Sequence, residues 1–335
     1  ISFEFINLDF ANYIYLDTLH DGDFLTPLKN YQNYNGLWSS SFVIHGGRDI
    51  FIPIISSKIF GNFNIAPIKF LYIFLIYLIK FLSIILAFQI SKISNLPISF
   101  KKIIFIILSL FFLTLSKYEE IGYLNIRDLF VLIFFIVFIE IFLKKNTIFL
   151  SYALSLCTTL AVFFHYDTGI YLLLTLSIFL FYLFFSKKIR ELIIILFFIF
   201  INFGFLYLYI GHEEIVNFFN QITHIVKNVD KIHGLEYPNP FFSMNESSDG
   251  SRATKILLFF LISNFFVGSL IFLKTTFLII QEKILIAFIY FYSLISFKNA
   301  LGRSDSSHII VSSDWITLIL FNFILFSVVY FFFKK

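Results

Sequence analysis

Charge and cysteine are both scarce in this chain. Of its 335 residues only 14% are charged, whereas 59% are hydrophobic and 21% aromatic. That leaves too little polar surface to coat a soluble globule of this length, so the expected solvent is a bilayer. The one cysteine, Cys157, lies inside an apolar run, which excludes an internal disulfide and a cysteine-based metal cluster. Arginine is also rare, at 5 residues against 20 lysines, a bias read as a property of the coding sequence rather than of the fold. The apolar runs do not alternate with polar residues, which argues against a membrane barrel and for helices that satisfy their own backbone.

What the chain has in quantity is long apolar runs. They fall near 68–90, 103–116, 129–143, 147–164, 170–185, 192–210, 256–273, 284–297 and 315–333, which predicts an all-α polytopic membrane protein of about nine transmembrane helices. Several runs are shorter than the roughly 20 residues that cross a bilayer, so their helices should extend into the flanking polar turns. The chain opens on Ile1 without methionine, and acids stand near the front of its first 67 residues. These features predict a preceding span, with residues 1–67 forming the first extracytoplasmic loop as short interfacial helices and turns. Residues 68–335 then form the transmembrane domain, with one long outer loop at 211–255.

The loops alternate between two kinds. Short basic ones, at 91–102, 144–146, 186–191 and 274–283, read as cytoplasmic by the positive-inside rule. The others, at 1–67, 117–128, 165–169, 211–255 and 298–308, hold most of the acids, all seven histidines and four of the five arginines. An active extracytoplasmic face on a multi-pass inner (plasma) membrane protein is the expectation. Within loop 211–255, Ile215, Phe218, Phe219, Ile222, Ile225 and Val226 recur at helical spacing, with acids, amides and lysines between them. That pattern predicts a helix lying on the membrane surface. Lys80 falls about halfway along the first span, where a lone ammonium costs about 2.5–3.5 kcal/mol on insertion scales, and Glu140 lies at similar depth as an expected partner.

Four outer segments carry a resemblance. "LHDGDFLTP" (19–27), "HGGRDIF" (45–51), "FFHYDTGIYLLL" (163–174) and "ALGRSDSSHI" (300–309) together resemble the GT-C superfamily of integral-membrane glycosyltransferases. The resemblance implies a catalytic acid in the first outer loop and a polyprenyl-phosphate-linked sugar as donor. The partners expected on this basis are that lipid-linked donor, the surrounding lipids and a glycan or lipid acceptor, with no nucleic acid. It leaves the acceptor's recognition undefined.

The chemistry of such a transfer asks for a carboxylate that takes a proton and for cations that hold a departing phosphate. Asp21 and Asp23 meet the first need, with Asp49 as a third catalytic candidate. Asp21 is preferred because Gly22 permits a tight, exposed backbone, and the two neighbouring acids in an extended turn would point to opposite sides. Arg303, with Asp305 and His308, meets the second, because a guanidinium fork suits phosphate oxygens. Arg48 and Asp167 complete the substrate-binding candidates. Plainer readings stand beside these. Asp-Gly is a turn signal, Arg48–Asp49 and Arg127–Asp128 can be ion pairs at helix mouths, and His165 with Asp167 can cap two spans. No cofactor is expected; Glu119 and Glu120 could hold a divalent cation with the first-loop acids, but no ligand spacing demands one. An O-antigen-type polymerase or ligase and a polytopic transporter are the alternative functions.

Overall fold

The computed structural model describes residues 20–61, 65–93, 97–114, 126–143, 148–233, 258, 261–265, 267–269 and 280–297. Among these residues every regular element is helical. Two short helices come first, α1 (His20–Tyr34) and α2 (Arg48–Phe60). The longer apolar helices follow: α3 (Ile65–Ile93), α4 (Ile98–Thr114), α5 (Leu129–Leu143), α6 (Ile148–Phe164), α7 (Tyr166–Phe185) and α8 (Ile189–Ile210). An amphipathic helix α9 (His212–His233) and a last apolar helix α10 (Ile280–Ser296) complete the order. Three of them, α3, α7 and α8, are long and apolar enough to cross a membrane. Half of the run expected near 256–273, and all of that near 315–333, falls outside the described residues.

Helix α5 is the centre of the bundle. Val131, Leu132, Phe134, Phe135, Phe138 and Ile139 are buried on several sides of it, and α3, α6, α7 and α10 pack around it. A helix buried all round must be apolar all round, and the sequence "LFVLIFFIVFIEIFL" is so except for Glu140. Glu140 accepts a hydrogen bond from Gln89 of α3 at 3.0 Å. Gln89 lies nine residues along from Lys80, about 13 Å by helical rise, and the Lys80 ammonium sits 5.9 Å from the centre of the Tyr77 ring. Helices α3 and α8 are apolar outward as well as inward: Phe70, Phe74, Phe81 and Phe88 line the exposed side of α3, and Phe197, Phe200, Phe205 and Leu208 that of α8.

Connections between the apolar helices are tight. Only His165 separates α6 from α7, and a left-handed Lys187 turns the chain from α7 into α8. Gly169 lets α7 cross close over α6, since a Cβ there would collide with the backbone of Val162. Most helices begin before their apolar runs, α7 at Tyr166 rather than 170 and α8 at Ile189 rather than 192, as short runs flanked by polar turns require.

The stretch "HDGDF" is corrected from an extended turn to the first turn of α1, where Asp21 and Asp23 meet the positive end of the helix dipole. Two residues apart on a helix is about 200°, so the acids still point to different sides: Asp21 is buried and Asp23 exposed. Asn35, at φ 55°, ends α1 in the left-handed conformation that asparagine tolerates better than most residues.

Candidate functional site

A non-helical strip, residues 35–47, runs from α1 to α2 across the end of the bundle where α6 meets α7. Such a strip must find partners for its own backbone. Helix α9 supplies several. Glu214 accepts from the backbone N–H of Trp38 at 2.6 Å and of Ser39 at 3.1 Å, and also from the Ser39 hydroxyl. Gln221 donates to the carbonyls of Trp38 (2.7 Å) and Ser41 (2.6 Å) and accepts from the N–H of Val43 at 3.3 Å. Seven residues apart, these two side chains share one helix side. Between them Phe218 packs on Trp38 at 4.9 Å and on Phe163 at 4.6 Å, centre to centre. The sequence pattern places both polar residues on the solvent side of α9; the structure turns them onto the strip, because its carbonyls and amides would otherwise be buried unpaired.

The strip ends in "HGGRD", and its two glycines shape the entry into α2. Gly46 holds φ at 115°, open mainly to glycine. A Cβ on Gly47 would collide with the carbonyl of Phe163 and the ring of Phe51. Without one, the Gly47 N–H donates to Phe163 O at 2.9 Å and the Tyr166 N–H to His45 O at 3.3 Å. This close approach lays His45 beside His165, ring centres 6.5 Å apart.

Asp49, buried in the first turn of α2, is gripped from both sides. The Nδ1 of His45 lies 3.0 Å from its Oδ2, and the Nε of Arg48 lies 3.2 Å from its Oδ1. A carboxylate only accepts, so His45 Nδ1 carries the proton of this contact, and in the neutral form of the ring Nε2 is the acceptor nitrogen. The His45 side chain is half-exposed, unlike that of Asp49. The contact to Asp49 uses one of Arg48's five N–H donors.

His165 stands at the start of α7 with extended backbone, but its side chain makes no capping hydrogen bond there. It is buried, and its Nδ1 has no hydrogen-bond partner among the described residues. Burial, reinforced by the positive fields of Arg48, Arg127 and His45, holds its imidazole well below the usual 6.5, so it is neutral at neutral pH. Arg127 and the buried Asp128 lie in a single 3-10 turn, Ile126–Asp128, that leads into α5. Asp167 is exposed in the first turn of α7, and Tyr171 and Tyr292 feel the charges of Asp167 and Arg127. Segments near positions 45, 127 and 165 therefore converge at one end of the bundle.

The other candidates are placed differently. Asp21 forms an ion pair with Lys69 of α3, Oδ2 to Nζ 3.0 Å, and Asp23 is exposed. Arg303, Asp305 and His308, with Glu119 and Glu120, lie outside the described residues. Among the described residues no group of three or more His, Cys, Asp or Glu is arranged to hold a metal ion. His45, Arg127 and His165 join Arg48, Asp49 and Asp167 at this end, although the sequence alone assigns the first three no part in binding or catalysis. For His45 a signal exists, its four-residue spacing from Asp49; for the pairing with His165, 120 positions away, none does.

Compared with known protein families, curated proteins and solved structures, the chain matches none.

Proposed function

We propose that this chain is a multi-pass membrane glycosyltransferase that moves a sugar from a polyprenyl-phosphate donor to a hydroxyl acceptor outside the cytoplasm. The observation that carries the reading is the His45–Asp49 contact of 3.0 Å, set at the end of the bundle where the charges of Arg48 and Arg127 act on His165. In this reading about nine helices cross the membrane in a GT-C-like arrangement. The outward apolar stripes of α3 and α8 face lipid, and the end bearing His45, Arg127 and His165 faces away from the basic loops.

The division of labour follows from the geometry. Asp49 fixes His45 with Nδ1 protonated, so Nε2 can take the proton of the acceptor hydroxyl as its oxygen attacks the anomeric carbon. The bond from that carbon to the phosphate oxygen breaks, and its electron pair stays on the phosphate. Arg48 and Arg127 stabilise the charge that grows there. Arg303, Asp305 and His308 remain candidates for the same phosphate, and Asp167 for the sugar. Asp21, held by Lys69, serves the fold.

The test uses the purified chain in lipid nanodiscs with a panel of polyprenyl-phosphate sugars, following release of free polyprenyl phosphate and glycosylated acceptor. His45→Ala should bind donor normally and fail in transfer; Arg127→Ala should weaken donor binding. Release of polyprenyl phosphate from no donor, or full turnover in His45→Ala, would sink the reading. Substrate flux into proteoliposomes without glycosyl transfer would install a transporter in its place.

A further inference from the structure

Helix α9 carries more apolar surface than its packing uses. Its Ile215 and Phe218 are buried against the bundle, and Glu214 and Gln221 hold the strip. Beyond Ile215, on the edge away from the strip, a second apolar pair is exposed, Phe219 (45%) and Val226 (66%), with Val216 exposed farther round. At about 100° per residue Phe219 and Val226 lie beside Ile215 and Ile222; the exposed His212 and Thr223 come next, then Val216, and Glu213, Asn220, His224 and Lys227, all exposed, continue from Val216 toward the strip. Of the two polar residues in the apolar sector, Thr223 returns its hydroxyl to the Phe219 carbonyl of its own helix at 2.9 Å, and His212 pairs with the Tyr207 hydroxyl of α8 at 2.8 Å.

What meets the apolar edge is indicated by the helix that precedes it. Helix α8 is long and apolar enough to cross a membrane, and its exposed stripe includes Phe200 (75%) and Leu208 (79%). That stripe reaches the last turn before Gly211, whose left-handed φ of 96° redirects the chain into α9. The two exposed apolar surfaces are thus continuous in the chain. A surface that lipid wets along α8 does not stop at a bend of one residue.

We infer that α9 is seated in the lipid surface, with Phe219 and Val226 entering the boundary between acyl chains and headgroups. Glu213, Asn220 and Lys227 face water, where Lys227 meets the headgroup phosphates. Seating of this kind places an apolar edge roughly 5–10 Å into the membrane. The strip that bears His45 and leads into Asp49 of α2 is then held by a helix that rides on the bilayer. The inference rests on the membrane reading of the chain but not on glycosyl transfer.

The test places a fluorophore on single cysteines in the full chain in nanodiscs. Cys157 is buried and will not label. Labels at Phe219→Cys and Val226→Cys should be quenched by spin-labelled lipid to at least half the extent of one at Phe200→Cys on α8. A label at Asn220→Cys should be quenched by iodide in the water instead. If the Phe200 label itself escapes the lipid quencher, the membrane reading fails. If that label is quenched while those at 219 and 226 respond only to iodide, the seating of α9 is overturned. Val226→Cys serves where Phe219→Cys disturbs folding, because its side chain makes no ring contact.

Discussion

Asp21 and Asp49 each occupy the second position of a short helix, each is buried, and each meets a cation at about 3 Å. Their partners come from different distances. The cation on Asp21 is Lys69, 48 residues away on α3, so the pair ties α1 to the bundle. Asp49 is held by its own neighbours, Arg48 and His45, and among the described residues the tie leads to no other helix. An acid used to join elements is neutralised by the join. An acid used to orient a half-exposed imidazole leaves that ring's far nitrogen available. Similar position and burial therefore do not make the two acids equivalent, and the local pair is the one suited to chemistry.

A matched pair of isosteric changes should separate the two acids most widely. Asp49→Asn should lower transfer by about 10² to 10⁴-fold, because an amide no longer selects the His45 tautomer that accepts a proton. Asp21→Asn should change transfer only a few-fold while lowering the melting temperature. Donor binding and turnover measured on both variants decide it. The opposite ranking would return the base to Asp21, as the Asp-Gly sequence suggests. Gly47→Ala should damage the Asp49 setting alone, costing about 1–3 kcal/mol as the strip is pushed from the Phe163 carbonyl. Chemical denaturation, followed alongside turnover, would show both losses; an unchanged variant would mean that the strip relaxes freely.

Stability cycles address the tether on the Asp21 side. Asp21→Ala and Lys69→Ala should each cost about 1–3 kcal/mol, since each takes the 3.0 Å ion-pair partner from a partly buried charge. The double variant should lose clearly less than the sum, because the pair can be lost only once. Additive losses would show that Asp21 and Lys69 act through separate contacts and that the tether between α1 and α3 is not their pairing.

Much of the helical layout is legible in the sequence, and the site only in pieces. The run 129–143 coincides with α5 because its polar neighbour Asp128 belongs to a separate 3-10 turn rather than to a first turn of the helix. Runs beside "HYDTG" and "SKKIRE" give helices that start earlier, because polar first turns continue a helix that hydropathy alone ends. The amphipathic pattern of α9 is plain, yet Glu214 and Gln221 read as solvent-facing because their partner is a stretch of backbone that leaves no signature in side-chain types. "HGGRD" advertises a tight turn, but its destination beside His165 depends on the crossing of α6 and α7. Periodicity finds faces; it does not find which loop a face will meet.

The mildest consequence belongs to His165, the buried neutral imidazole beside Asp49's partners. Its folded pKa lies well below the usual 6.5, so at pH values under that the unfolded chain binds a proton that the folded chain refuses. Stability should be indifferent to this residue above about pH 7 and fall as pH drops through about 6.5 toward 5, the unfolded state being the one that gains the proton. In melting temperature this is a decline of roughly a few degrees for a chain of this size. His165→Phe should remove that part of the decline, since a phenyl ring keeps the burial and has no proton to accept. Asp21→Asn should leave it in place, because the Lys69 pair lies outside the group of charges that acts on His165. Melting curves for wild type and both variants at matched pH measure the difference. Equal acid sensitivity in wild type and His165→Phe would place the titrating group elsewhere.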